Sequence, residues 1–285
     1  MPPRTVSAEF FPFSCHLVVV QPSEMGWIWT EGEREESRFM NAVFLTTMGE
    51  KGILDAYDED TRKALASSLY FVDPVYREED LEGRRKSLAS VDVIFSTWGM
   101  LSLTEEQIQQ YFPSLKAVFY AAGSVQYFAR PFLNHGVRVF SAASANGIPV
   151  AEYTTAQIIL ANKGFFQAAR LYKRASHEKA QSYAHTFPCN YNVKVGIIGA
   201  GVIGRLVIKM LKGYEIEPWV FDPFLPEERA RELGVKKYTL EEIFSSCQTI
   251  SNHLANNAQT KGMLDYRLFS MMKDNAAFIN TGRGA

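Results

Sequence analysis

Lys194-Val-Gly-Ile-Ile-Gly-Ala-Gly-Val-Ile-Gly204 decides the fold of this chain. Val195, Ile197 and Ile198 predict a short buried strand, and Gly199-Ala-Gly-Val-Ile-Gly204 then opens a helix over 205–211. A second apolar run, Trp219-Val-Phe221, ends in Asp222, 18 residues after Gly204. In that setting each glycine has a physical task. Gly199 makes the tight turn, Gly201 lets a pyrophosphate approach the backbone, and Gly204 lets helix and strand pack closely. The amides of Val202 and Ile203 face the pyrophosphate at the positive end of the helix dipole. Asp222 accepts from both ribose hydroxyls of NAD and repels the additional phosphate of NADP. No Arg or Lys follows it in Pro223-Phe-Leu225. The stretch predicts a dinucleotide site for NAD.

Working outward, 285 residues suffice for two domains of ordinary size. With 47% hydrophobic residues the chain can bury a sizeable core, and 21% charged residues is ordinary for a soluble protein. A net charge of −1 with no basic stripe gives no support for nucleic acid or an anionic membrane surface as partner. No run approaches the roughly 18 apolar residues of a membrane span. Cys15, Cys189 and Cys247 are scattered without metal-type spacing, so no metal is expected and a reducing cytoplasm is the expected compartment.

Residues 40–148 alternate short strands (41–47, 69–72, 91–95, 115–120, 137–140) with helices (59–67, 79–88, 104–112, 128–134). That βα rhythm predicts a parallel sheet covered by helices. Ser102 or Thr104 is the candidate cap of the third helix, and Asn134-His-Gly136 closes the fourth. Residues 151–185 contain Gly164 and no proline, which predicts one long helix or two joined ones. Beyond Asp222 come a helix (226–233), a strand (236–238), a helix (240–246), a strand (249–254), a helix (265–272) and a strand (276–279).

The two ends differ from the rest. Residues 1–39 are irregular, and Glu31-Gly-Glu-Arg-Glu-Glu36 can be written wholly in purine codons, as a translated ribosome-binding site would be. Met40 is therefore expected as the start, with 1–39 a translated leader; a charged disordered tail is the other reading. At the far end Asn280-Thr-Gly-Arg-Gly-Ala285 stops within a loop, so a C-terminally truncated fragment is expected.

The order of these features resembles the D-isomer-specific 2-hydroxyacid dehydrogenases. The segments carrying the resemblance are Leu115-Lys-Ala-Val-Phe-Tyr-Ala-Ala-Gly-Ser-Val125, Gly147-Ile-Pro-Val-Ala-Glu-Tyr-Thr154, the glycine-rich turn, Asp222, and Asn280-Thr-Gly-Arg-Gly284. It implies an α/β protein: a flavodoxin-like substrate domain (40–148) and an incomplete Rossmann NAD-binding domain (149–285). The implied activity is NAD-dependent interconversion of a D-2-hydroxy acid and a 2-keto acid. Arg283 would grip the substrate carboxylate and keto oxygen with its planar fork. Gly123 and Ser124 would hold the carboxylate through backbone amides. Thr260 and the Thr281-Gly-Arg283 backbone match cofactor-contacting positions, and His253 matches a cofactor-loop histidine rather than a general base. The family's proton-relay Glu and His lie beyond Arg283, so the resemblance implies that these residues hold half of a catalytic set and that the chain alone is inactive. It also implies a homodimer through the NAD-binding domain. Departures fall at Ala122-Gly-Ser124 with Gln126, where the family has two glycines and an acid, and at His253-Leu-Ala-Asn-Asn257, which lacks the family's proline. The competing class is a non-catalytic NAD(H)-binding regulator or an inactive remnant.

Overall fold

The structure, a computed structural model, describes residues 39–282, so the leader reading and Arg283 lie outside the described residues. The chain divides into two compact units between Asn146 and Gly147.

The first unit contains β1 (Met40–Phe44), α1 (Gly49–Ala56), α2 (Glu59–Ala66), β2 (Leu69–Phe71), α3 (Asp80–Gly83), α4 (Arg85–Leu88), β3 (Val93–Ser96), α5 (Glu105–Tyr111), β4 (Ala117–Tyr120), α6 (Ala129–Asn134) and β5 (Arg138–Ser141). Its five strands are parallel in the order β2-β1-β3-β4-β5, the flavodoxin-like arrangement. One face of the sheet packs Val43, Leu45, Ile94 and Val118 against Leu88, Ile108, Phe112, Phe128 and Phe132. The other carries one phenylalanine from each strand. Phe71, Phe44, Phe95, Phe119 and Phe140 stand side by side with neighbouring ring centroids 4.7, 6.0, 5.3 and 4.9 Å apart.

Local chemistry explains the boundaries. Asp58 caps α2 by accepting from Thr61 N, and Thr104 forms a capping box with Gln107 at α5, which settles the choice between Ser102 and Thr104. Gly136, at φ +75°, follows α6 as expected. The helix expected over 79–88 is broken at Arg84, and α1 lies where no helix is evident in the sequence.

The second unit contains the greater part of α7 (Ala143–Asn162), then α8 (Phe165–Tyr172), α9 (His177–Ala184), β6 (Tyr191–Ile198), α10 (Val202–Leu211), β7 (Glu215–Phe221), α11 (Glu227–Leu233), β8 (Lys236–Lys237), α12 (Leu240–Ser246), β9 (Thr249–Asn252), α13 (Tyr266–Phe269) and β10 (Ala277–Asn280). The parallel order β10-β9-β6-β7-β8 is the Rossmann order 3-2-1-4-5 when the strands of this unit are counted from β6. The stretch 151–185, expected as one long helix or two joined ones, is three helices, and the first begins earlier, with Pro149 inside its second turn. Gly164 causes the first break: at φ +65° it takes a left-handed conformation, and a Cβ there would collide with the Phe187 ring. Asn162 ties the end of α7 inward. Its Oδ1 accepts from Thr249 Oγ1 at 2.6 Å and its Nδ2 donates to Asn190 Oδ1 at 2.9 Å.

Candidate functional site

In the second unit the switch point of the strand order falls between β6 and β9, and the glycine turn stands at the carboxyl end of β6. Gly199, at φ +92°, presses against the β9 end, where a Cβ would lie 3.0 Å from the carbonyl group of His253. Gly204 packs so closely on the Gly199 carbonyl that a Cβ would overlap its oxygen. Around Gly201 the opposite holds: among the described residues nothing lies within 4 Å of the position a Cβ would take. Gly201 caps α10 with no side-chain bond, leaving the first amides of the helix, including those of Val202 and Ile203, without intrahelical acceptors.

Asp222 follows β7 directly. Its Oδ2 accepts from Ala200 N and its Oδ1 from Phe224 N, both at 2.8 Å, so the carboxylate joins the glycine turn to its own loop. Each oxygen keeps a further lone pair for a hydroxyl donor. Beside it lies a cavity of about 280 Å³ lined by Phe221, Asp222, Pro223, Lys237, Tyr238, Thr239, Leu240 and Glu241. Tyr238 is fixed as its wall by stacking on Trp219 at 3.7 Å, and Lys194 lies over the far ring at 4.2 Å. An open helix N-terminus, a bare glycine and a carboxylate with free lone pairs beside a flat-walled cavity are the set of groups a dinucleotide requires. The residues fit NAD.

The loop after β9 is held by its own bonds. His253 N donates to Ile198 O at 2.7 Å, and His253 Nε2 lies 3.0 Å from Ser251 Oγ. Its Nδ1 is buried without a partner among the described residues. Burial pushes the imidazole down to about 4, so it is neutral near pH 7 and tethered to its own strand. Thr260, expected at the cofactor, donates its hydroxyl to Ala255 O and accepts from Asn257 N at 3.1 Å, closing the 255–260 turn. Thr281 Oγ1 lies 3.3 Å from Thr154 Oγ1, and Gly282 N donates to Asn280 Oδ1 at 3.0 Å. The asparagine preceding Arg283 thus shapes the turn that leads to it.

In the first unit Gly123 and Ser124 stand beyond the carboxyl end of β4. Ser141 Oγ donates to Gly123 O at 2.5 Å and Ala122 O at 3.0 Å, and Asn146 Nδ2 lies 3.1 Å from where a Gly123 Cβ would be. Among the described residues no acceptor takes the Gly123 or Ser124 amide, so both donors are open to an anion. Ser141, Asn146, Lys237 and Tyr238 were not evident as site residues. They are ordinary residues in sequence, and only the folding of distant segments brings them to these loops.

Among the described residues no three His, Cys, Asp or Glu side chains are grouped to hold a metal ion, and no helix is long and apolar enough to cross a membrane.

These features define a dinucleotide-binding domain joined to a flavodoxin-like unit. Over residues 155–285 the chain matches the family described as D-isomer specific 2-hydroxyacid dehydrogenase, NAD binding domain. It is 33% identical over 155 residues to D-3-phosphoglycerate dehydrogenase of Bacillus subtilis, which covers 53% of this chain and 28% of that one. Against D-lactate dehydrogenase of Escherichia coli it is 29% identical over 150 residues, 53% of this chain and 44% of the relative. The chain thus matches less than half the length of these relatives. Among solved structures, an acyclic imino acid reductase in complex with NADPH and D-Arg superposes with TM-score 0.65 at 21% identity, covering 86% of this chain and 75% of the other. D-Lactate dehydrogenase from Aquifex aeolicus with NAD and lactic acid gives TM-score 0.63 at 20% identity, with 86% and 69% coverage. At such identities the superpositions speak for the fold.

Proposed function

We propose that this protein is an NAD-dependent oxidoreductase acting between a D-2-hydroxy acid and the corresponding 2-keto acid. The observation that carries the cofactor half is Asp222, locked by two backbone amides at the mouth of the cavity where an adenosine ribose belongs. Bound there, NAD would supply a hydride acceptor for C2 of the hydroxy acid. The Val202 and Ile203 amides, opened by Gly201, would hold the pyrophosphate. Gly123 and Ser124 would take one carboxylate oxygen through their amides, and Arg283 would grip carboxylate and keto oxygen together, polarising the C=O. His253 is assigned no part in proton transfer, a reading supported by its bond to Ser251 and by the burial that lowers its proton affinity.

Titrating the 285-residue protein with NADH and NADPH tests the cofactor reading. NADH is expected to bind tenfold to a hundredfold more tightly, because like-charge repulsion in a partly dry site is worth about 1–3 kcal/mol. Asp222→Ala should bring the two within about threefold. Equal binding by the unsubstituted protein would refute the assignment.

Arg283 is tested in the presence of NADH with pyruvate as the probe acid. Arg283→Lys keeps the charge but loses the two-pronged geometry, so calorimetry should show at least a tenfold weaker complex. Unchanged pyruvate affinity in that variant would remove Arg283 from the site.

A further inference from the structure

The cavity beside Asp222 holds a cation that does not pair with it. Lys237 lies in β8, next to Val220 in register, and reaches the same lining as Asp222 and Pro223. Its Nζ donates to Leu225 O at 2.8 Å and lies 3.4 Å from Glu227 Oε1. The lysine side chain is 27% exposed and its partner glutamate 76% exposed. The ammonium is therefore half-sheltered, while the carboxylate that occupies it hangs in water at the start of α11. Of the other charged groups at this cavity, Glu241 is occupied by Arg267 at 2.9 Å.

We propose that Lys237 is a second specificity determinant of this cofactor site, a cation beside the ribose position that Glu227 and the Leu225 carbonyl withhold from a 2′-phosphate. The inference rests on reading the cavity as the adenosine site. NADP is refused for two reasons in series: Asp222 repels the phosphate, and the nearby cation that would otherwise attract it is occupied. Lysine suits this role better than arginine, because its charge is compact and its four-carbon stem can swing between partners. Glu227 is largely solvated, so neutralising it frees the ammonium of its counter-charge while the Leu225 carbonyl still accepts from it. Asp222 needs its carboxylate shape to keep the Ala200 and Phe224 amides, and asparagine preserves one acceptor there while removing the charge.

The test is a binding series read by fluorescence or calorimetry, using NADH, NADPH, AMP and adenosine 2′,5′-bisphosphate. The two nucleotide fragments report the ribose position without the nicotinamide half. Asp222→Asn is expected to tighten NADPH and the bisphosphate about tenfold. Adding Glu227→Gln should tighten them a further fivefold, and adding Lys237→Met to that pair should abolish the second gain while NADH and AMP stay within twofold. Lys237→Arg in the double variant should retain the gain, and about 0.5 M salt should erase it. If the triple variant binds the bisphosphate as tightly as the double, the inference fails. It fails equally if Lys237→Met weakens NADH and NADPH by the same factor, since Lys237 is then only an anchor for the Asp222 loop. Failure of the unsubstituted protein to bind either NADH or AMP overturns the adenosine reading itself, and is a different result from these two.

Discussion

Gly204→Ala is expected to destabilise the protein by about 3 kcal/mol or more, while Gly201→Ala, three residues away, leaves stability nearly unchanged and removes cofactor affinity. In a helix alanine is favoured over glycine by about 1 kcal/mol, so propensity alone predicts a gain at Gly204. The geometry overrides it. The added Cβ would overlap the Gly199 carbonyl oxygen, a backbone atom fixed by its own turn, and overpacking against backbone costs about 1–3 kcal/mol and more where nothing can move. Moving α10 away instead would open the contacts of Val207, Ile208 and Leu211 with the sheet. Gly201 has empty space around it and an extended backbone conformation that alanine adopts readily. Its methyl would stand in the approach of the pyrophosphate, so NADH should bind at least tenfold more weakly. Thermal melts and NADH titrations of the two variants separate the effects. A Gly204→Ala protein that melts with the parent would refute the close-packing argument, and a Gly201→Ala protein that binds NADH normally would remove the phosphates from this turn.

The second large effect is a loss of stability on acidification. His253 is held neutral by burial, with its pKa lowered from 6.5 to about 4. The unfolded chain takes up a proton through the usual histidine range while the folded chain does not. Stability contributed by His253 is therefore fully present above pH 6.5, declines as the pH falls toward 4, and levels off below that. The difference amounts to about 3 kcal/mol across the window, since each tenfold change in proton affinity is worth about 1.4 kcal/mol. Carboxylates also respond to acid, so the contribution is isolated by comparison with His253→Gln. Urea denaturation at pH 7 and pH 4.5 should show a clearly smaller loss in the variant. Equal losses in the two proteins would mean that the imidazole is solvated and protonates in place.

The second unit was legible because its chemistry is local. A glycine turn, the strand before it and the acid after it lie within 29 residues, and two of its glycines, Gly199 and Gly204, are demanded by backbone contacts that no other residue satisfies. The alternation of short apolar runs with helices likewise announced the parallel sheet of the first unit. What escaped was whatever depends on pairing between distant segments. β8 is two lysines long and carries no periodicity, so nothing in the sequence places Lys237 beside Asp222. Gly164 was visible as a single glycine in a helical stretch, but Phe187, which makes it obligatory, is far along the chain. The helix α1 has a glycine at each end of its first turn, Gly49 and Gly52, which masks its apolar stripe. Pro149 failed to stop α7 because it sits near the start of the helix, where few amide bonds are lost.

The row of phenylalanines across the first sheet bears on how that sheet is assembled. Phe44 pairs in register with Phe95, Phe95 with Phe119 and Phe119 with Phe140. A parallel sheet joins segments far apart in sequence, forms slowly, and offers neighbouring strands many near-equivalent alignments on the way. With an aromatic ring at the matching position of β1, β3, β4 and β5, a shift of one residue sends a phenylalanine to the opposite face. The rings act as a proofreading mark: misaligned strands stay short-lived because they lose most of their aromatic contact area at once, and the aligned sheet is the arrangement that persists.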